Sequence, residues 1–233
     1  MKKILFSLFI IGIIVGCETS KVKNMTVSGT ISGMKKGTLY LQKYVDTLLV
    51  NIDSVNVDGQ SEYFLTDDVD SPEVYFISLS NLPDEKISFF GEEGEIIINS
   101  KLDKFSFSTE ISGSANQTLY DEYMEMMQKF NGQQLDIIKA KFEAQKEDND
   151  SLFQKFEKDE QSLLRRKYYF STNFAVINAD HEVAPYLALT ELFNANIKLL
   201  DTINNSLSIN VKKSKYGLEL QEFIDDIKKK ENK

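Results

Sequence analysis

Phe105-Ser106-Phe107-Ser108-Thr109-Glu110-Ile111-Ser112-Gly113-Ser114-Ala115-Asn116-Gln117 contains the point at which the chain changes its period. Before Gly113 the residues alternate. Phe105, Phe107 and Ile111 fall on one face and Ser106, Ser108 and Glu110 on the other, the pattern of a half-buried strand. After Gly113, Leu119, Tyr123, Met126 and Phe130 recur at helical spacing. Ser114-Ala115-Asn116-Gln117 between them is a capping box, in which serine and glutamine satisfy backbone donors that an opening helix leaves unpaired. This border predicts an α+β chain: an N-terminal antiparallel β-sandwich or barrel, then a C-terminal helical segment.

Upstream, the same alternation recurs at Val27-Gly29-Ile31, Leu39-Leu41, Val50-Ile52, Val55-Val57, Val74-Phe76, Ile87-Phe89 and Ile96-Ile98. Gly33 to Gly37, Asp58-Gly59, Ser71-Pro72, Pro83-Asp84 and Gly91 to Gly94 punctuate it. Seven or eight short strands at such spacing indicate a sandwich or barrel. Asp58-Gly59 is the strongest hairpin signal, because glycine accepts the positive φ of a type I′ turn.

Downstream, Ser151-Leu152-Phe153-Gln154 reads as a second capping box, leading Phe153, Phe156, Leu163 and Phe170 at helical spacing. No proline and only Gly132 interrupt Ser114 to Val183, which allows long antiparallel helices. Pro185 suits the first turn of another helix. A last helix from about Lys215 to Lys230 is expected to bury Leu218, Phe223 and Ile227. Asp201 to Lys213, polar and poorly periodic, reads as a loop.

The other end of the chain gives an address. Lys2 and Lys3 precede 13 uncharged residues, Ile4 to Gly16, and Cys17 follows. That is the n-region and h-region of an export signal. A bilayer-spanning helix needs roughly 20 apolar residues, so the run is short for a permanent span. Ile14-Val15-Gly16-Cys17 reads as a lipobox, with cleavage between Gly16 and Cys17 and lipid attached to the Cys17 sulfur. Two or three acyl chains make a stable anchor where one would not. The expected division is a signal peptide at 1–16, lipidated cysteine and tether at 17–24, a β-domain at 25–113 and a helical domain at 114–233. The seven tether residues reach at most about 25 Å. Only Glu18 is acidic after the cysteine, which favours a periplasm-facing location over the cell surface.

Composition excludes some partners. The chain carries 27 basic and 36 acidic residues, and residues 25–113 hold 6 lysines against 15 acids. A phosphate backbone needs cations, so nucleic acid is not an expected partner. Cys17 is the only cysteine. Once lipidated it leaves neither a disulfide nor a Cys-x-x-Cys redox site to the mature chain.

Val27-x-Gly29-Thr30-Ile31-x-Gly33, Gly37-Thr38-Leu39-Tyr40-Leu41-Gln42-Lys43, Asp53-Ser54-Val55, Gly59, Phe64, Pro72, Tyr75, Phe89-Phe90, Gly94-Glu95-Ile96-Ile97 and Ile111-Ser112-Gly113-Ser114 occur in that order. Together they resemble the domain of unknown function 4369 of Bacteroidota lipoproteins, which usually precedes a thioredoxin-like or peroxiredoxin-like domain. Ser214-Lys215-Tyr216-Gly217 is similar to the stretch just before that redox domain. The resemblance implies a fold and an envelope setting. It carries over no catalytic residue, because the chain has no counterpart of the redox cysteines.

The remaining candidates for chemistry are few. His181, the single histidine, lies in Asp180-His181-Glu182 at an expected helix start, without a Gly-x-Ser-x-Gly elbow to serve. Asp67-Asp68-Val69-Asp70 and Glu92-Glu93 with Glu95 cluster oxygens, but not at EF-hand spacing. Tyr40, Tyr44, Tyr63 and Tyr75 are candidates for a binding face. Lys228-Lys229-Lys230 suits a helix C-terminus better than a recognition patch. No catalytic, cofactor-binding or metal-ligating residue is assigned. The expected function is a non-catalytic binding or scaffolding lipoprotein that meets an envelope protein, in one version a thioredoxin-like partner acting in trans. The alternative is a small-molecule or glycan binder, with hydrolysis by unassigned acids; that reading requires a concave pocket.

Overall fold

A computed structural model describes residues 23–231. Gly16 and Cys17, and with them the export signal and lipid site, lie outside the described residues.

Eight strands form two four-stranded sheets. Strands β1 (Met25–Ser32), β4 (Glu62–Asp67), β7 (Gly94–Lys101) and β8 (Glu110–Ser112) make one, in the order β4-β1-β7-β8. Strands β2 (Lys36–Val45), β3 (Leu48–Asp58), β5 (Glu73–Leu79) and β6 (Leu82–Gly91) make the other, in the order β3-β2-β5-β6. Alternation drives the layering: Val27, Ile31, Leu65, Ile96 and Ile98 point inward from the first sheet, and Leu39, Leu41, Tyr75, Ile77, Ile87 and Phe89 from the second. All are at most 3 % exposed. The sheets are therefore an α+β sandwich half, as the alternation predicts.

Several local expectations are corrected. The sheets are not wholly antiparallel, because β1 and β7 run parallel, Val27 opposite Ile96. Short turns fix the direction of sequential strands, but β1 and β7 are far apart in sequence and no turn constrains them. Asp58-Gly59 does not close a two-residue hairpin. Gly59 has φ +82°, yet the turn carries the chain from β3 in one sheet to β4 in the other. Two-residue hairpins are instead Asp46-Thr47, between paired Val45 and Leu48 with Asp46 at φ 54°, and Ser80-Asn81, between paired Leu79 and Leu82. Phe105 to Ile111 is not one strand. A 3₁₀ turn at Leu102–Lys104 rotates the chain, so Phe105 is fully buried while Phe107 is 89 % exposed. Strand β4, absent from the expected strands, lies between Asp58-Gly59 and Ser71-Pro72 and buries Tyr63 and Leu65 in alternation.

Six helices follow: α1 (Ala115–Lys146), α2 (Asp150–Ile177), α3 (Val183–Glu191), α4 (Ile197–Ser206), α5 (Ile209–Lys213) and α6 (Lys215–Glu231). Ser114 caps α1, its hydroxyl accepting from the Gln117 N–H at 2.9 Å. The α2 cap is Asn149 rather than Ser151, accepting from the Leu152 N–H. Residues 201–213 are helical rather than a loop. Asn196 and Ser208 start α4 and α5 by side-chain caps, and Leu200, Ile203 and Val211 are buried. In α6, Leu220 and Ile224 are buried, Phe223 and Ile227 pack half-buried against the same core, and Leu218 is 59 % exposed, so of the three expected residues only Leu218 faces away.

Helices α3 to α6 and the end of α2 share one core around Ala188, Leu200, Ile203, Leu220 and Ile224. A third cluster joins this bundle to the sandwich. Phe90 of β6 packs with Tyr123, Val183, Leu187 and Tyr216, and its ring meets those of Tyr120 and Tyr186 edge-on at 5.8 and 5.1 Å.

Candidate functional site

Two regions concentrate groups that packing alone does not explain: a charged cluster where the sandwich meets α6, and the outer half of the α1–α2 hairpin.

The cluster is built on Lys43 of β2. Its Nζ lies 3.0 Å from Asp67, 3.0 Å from Glu73 and 2.9 Å from the Tyr75 hydroxyl. Tyr75 donates in turn to Asp67 at 2.7 Å. Lys215, the first residue of α6, reaches Glu73 at 2.5 Å and donates to the Tyr44 carbonyl. The two carboxylates are nearly buried, so each requires a partner held close. Burial pushes the Asp67 carboxyl up, but the Tyr75 and Lys43 hydrogen bonds outweigh it and hold the group below its ordinary range. Burial pushes Lys43 down, and Asp67 with Glu73 outweigh it, so the ammonium is raised. The Tyr75 phenol is raised by burial and by Asp67. Its protonated form is thus favoured, as its hydrogen bond to Asp67 requires. Every charge is spent on another, which makes the cluster a clamp between β2, β4, β5 and α6. Lys43, Tyr75, Lys215 and Tyr216, distant in sequence, meet at this joint.

The hairpin is built on two regular stripes. On α1, Tyr123, Met127, Phe130, Gln134, Ile137, Lys141 and Ala144 alternate steps of four and three. On α2, Phe153, Phe156, Glu160, Leu163, Lys167, Phe170 and Phe174 do the same. This is the spacing of a two-helix coiled coil. The register is antiparallel: Tyr123 bonds Ser171 at 2.7 Å, and Lys141 pairs with Glu160 at 2.7 Å. At 32 residues α1 is about 48 Å long, and the bundle supports only its first half. Beyond Phe130, among residues 131–164, only Ala144 and Leu163 are buried. A further row, Leu135, Ile138 and Phe142, stands on α1 one residue round from the seam and is 67, 47 and 69 % exposed. Leu164 of α2, 49 % exposed, lies level with Leu135 in this register. Leu164 also borders a hollow of about 250 Å³ between the helices, lined by Phe130, Gln134, Gln161 and Leu163.

The sequence candidates are scattered. His181 sits between α2 and α3, with Nδ1 buried and without a hydrogen-bond partner, so no serine–histidine pair forms there. Glu92 has a structural position: one carboxylate oxygen accepts from the Ala115 N–H and the other from Asn116 Nδ2 at 2.7 Å, where the positive end of α1 favours a negative charge. Among the described residues no group of three His, Cys, Asp or Glu is placed to hold a metal ion. The four tyrosines do not form one face. Tyr63 and Tyr75 are buried, with the Tyr63 hydroxyl donating to the Ile98 carbonyl, while Tyr44 is exposed against Phe76. Lys228 pairs with Asp201 and Lys229 with Asp226, so Lys228 ties α6 to α4. The apolar row was present in the sequence as Leu135, Ile138 and Phe142 at steps of three and four. Only the tertiary structure shows it to be uncovered.

No curated protein matches the chain. A family model described as domain of unknown function (DUF4369) matches residues 25–120, which run from the first residue of β1 into the second turn of α1. The matched segment thus includes Gln117, which accepts the Phe90 N–H of β6, and Asn116, which donates to Glu92 in the turn between β6 and β7. The match covers the sandwich and the opening of α1, so residues 25–120 are similar to the DUF4369 domain.

Proposed function

We propose that this protein is a lipid-anchored envelope lipoprotein that binds another protein without catalysing a reaction. The observation that carries the reading is the row Leu135, Ile138 and Phe142 with Leu164, exposed on a two-helix hairpin that extends past its own core. Contiguous exposed apolar surface rimmed by polar residues is a mark of interaction sites. Steps of three and four match an amphipathic helix laid along the hairpin, with one apolar side chain entering the hollow beside Leu164. The resemblance to modules fused to redox domains favours a thioredoxin-like protein as the partner in trans.

The anchor rests on Lys2, Lys3, the apolar run and Ile14-Val15-Gly16-Cys17. The fold supports a short tether: Asn24, seven residues after Cys17, is already fixed to Val69 through two hydrogen bonds of 2.9 and 2.7 Å. The periplasmic side is favoured by the single acid after the cysteine.

Two experiments test the reading. A photo-crosslinking residue at Phe142, compared with one at Glu143 on the turn's other side, is expected to give a discrete adduct with an envelope protein at the first position only. Adducts at neither position, or equally at both, would remove the partner; an adduct with a second copy of the chain would replace it by a dimer. Metabolic labelling with an alkyne fatty acid is expected to mark the wild type and not Cys17→Ser, and an unlabelled wild type would remove the anchor.

A further inference from the structure

We propose that the sandwich carries a second, separate binding site, a trough for a short neutral oligosaccharide, on the outward face of the β4-β1-β7 sheet beneath the end of β3. The trough encloses about 730 Å³. Ligand clefts commonly run from about 300 to 1,000 Å³, and a single sugar ring fills a fraction of this volume.

Its chemistry comes from a few groups. Thr30 of β1 directs both its backbone N–H and its hydroxyl to Asn99 Oδ1, at 3.0 and 2.9 Å. A backbone N–H can only donate, so the Asn99 oxygen is fixed toward Thr30 and its NH₂ is turned away. Asn56 on the facing wall accepts from the Thr38 hydroxyl through its Oδ1 at 2.6 Å, which leaves its NH₂ for a ligand. Neither NH₂ bonds to another described protein group, and both amides line the trough. Glu62, on the same wall as Phe64, supplies an exposed carboxylate acceptor. Phe64 is 60 % exposed on the outer side of β4, an apolar plate on a sheet face that also carries Ser28, Thr30, Asn99 and the 40 % exposed Ile97.

Paired donors and acceptors beside an aromatic plate select a class of ligand. Sugar hydroxyls both donate and accept, so adjacent hydroxyls satisfy an amide NH₂ and a carboxylate together, while the ring's C–H face lies on the phenyl ring. An anion would meet Glu62. A cation would find the nearby Asp58 already engaged by Lys36 at 3.1 Å, and would leave both amide donors unused. The proposal stands apart from the hairpin reading, since no residue is shared.

The test is an array of neutral and acidic oligosaccharides of two to six units, followed by calorimetric titration of the full chain. Phe64→Ser removes the plate from an exposed position. Asn99→Asp keeps the acceptor for Thr30 and replaces the NH₂ donor by a charged acceptor. Binding of a neutral oligosaccharide is expected, weakened about tenfold by each change, with both variants melting within a few degrees of the wild type. If no neutral glycan binds, if only acidic glycans bind, or if both folded variants retain full affinity, the proposal is overturned.

Discussion

The hydroxyl of Tyr216, at the start of α6, accepts the backbone N–H of Val74 in β5 at 2.9 Å, joining residues 142 positions apart. On the other side of the same joint Gln117 Oε1 accepts the Phe90 N–H of β6 at 2.9 Å. Between these two bonds lie Phe90, Tyr120 and Tyr186, so the sandwich and the helices meet through an aromatic contact flanked by side chains that reach strand backbone. Gln117 is the glutamine of the capping box. Instead of reaching back to its own helix start, it satisfies a strand donor.

Tyr216→Phe keeps the ring and strands the Val74 N–H. The expected loss is about 1–3 kcal/mol, read as a lower urea midpoint at unchanged slope. An unchanged midpoint would show that the joint adds nothing to stability.

Lys43→Met leaves Asp67 and Glu73 with reduced compensation in a nearly buried place. Breaking such an arrangement from one side costs about 3–5 kcal/mol. Tyr75→Phe, which removes one hydrogen bond to a carboxylate, is expected to cost about 1.5–3 kcal/mol. Equal losses in the two variants would contradict the role of Lys43 as the hub.

The same cluster sets a pH dependence. Asp67 is held below its ordinary value of 3.8 in the folded chain, so its contribution is complete above that value and is lost as pH falls through the lower folded one. The stability gap between wild type and Asp67→Asn should therefore narrow as pH is taken from 5 to 2. Lys43 is raised above 10.5, so its contribution is complete below 10.5 and fades as pH climbs through the higher folded value. A gap constant to pH 2 in denaturation curves would show that Asp67 is not held ionised by the fold.

Three glycines have neighbouring backbone where a Cβ would sit, Gly113 among them with the Glu95 carbonyl oxygen 2.0 Å away. A Cβ on Gly29, at φ +150°, would lie 2.0 Å from the Ile98 carbonyl oxygen of the parallel neighbour. On Gly217 it would lie 2.0 Å from the Val211 carbonyl oxygen, where α5 and α6 touch. Gly29→Ala and Gly217→Ala should each lose several times the roughly 0.5–1 kcal/mol that separates glycine from alanine in ordinary helices, and in the opposite direction. Thermal melting of both is the check, with Gly132→Ala, where nothing lies within 4 Å, as the stabilised control.

The hairpin should be unevenly protected. Residues 131–164 have almost no buried side chains, whereas Tyr123, Met127, Ser171 and Ala175 are buried against the bundle. Amide hydrogen exchange is expected to be faster in 131–164 than in 119–127 and 168–176. Uniform protection along both helices would mean that the outer half is covered, in the isolated protein, by a second copy.

The elements legible from residues alone were those whose signal is local. Alternation marks β1, β2, β5, β6 and β7, and the serine at 114 marks the start of α1 by its own side-chain bond. Local signals misled where a neighbour decided. Phe105 and Phe107 alternate like a strand, but Phe105 turns in to plug the sandwich and Phe107 is left outside. Ser151 resembles a cap, yet Asn149, two residues earlier, takes that place after the turn at Asp148, φ 53°. The polar stretch at 201–213 looked irregular because its two short helices are divided by Leu207 and Ser208, and each buries only a few residues.

Sequence by itself determined the two-part plan, strands then helices, and the candidate address at Cys17, because periodicity, caps and an apolar run are properties of neighbouring residues. Tertiary structure decided the rest: the parallel pairing of β1 with β7, the gathering of Lys43, Asp67, Glu73, Tyr75 and Lys215, and the exposure of Leu135, Ile138 and Phe142. These depend on which distant surfaces meet and which are left without a neighbour, and no stretch of residues encodes that alone.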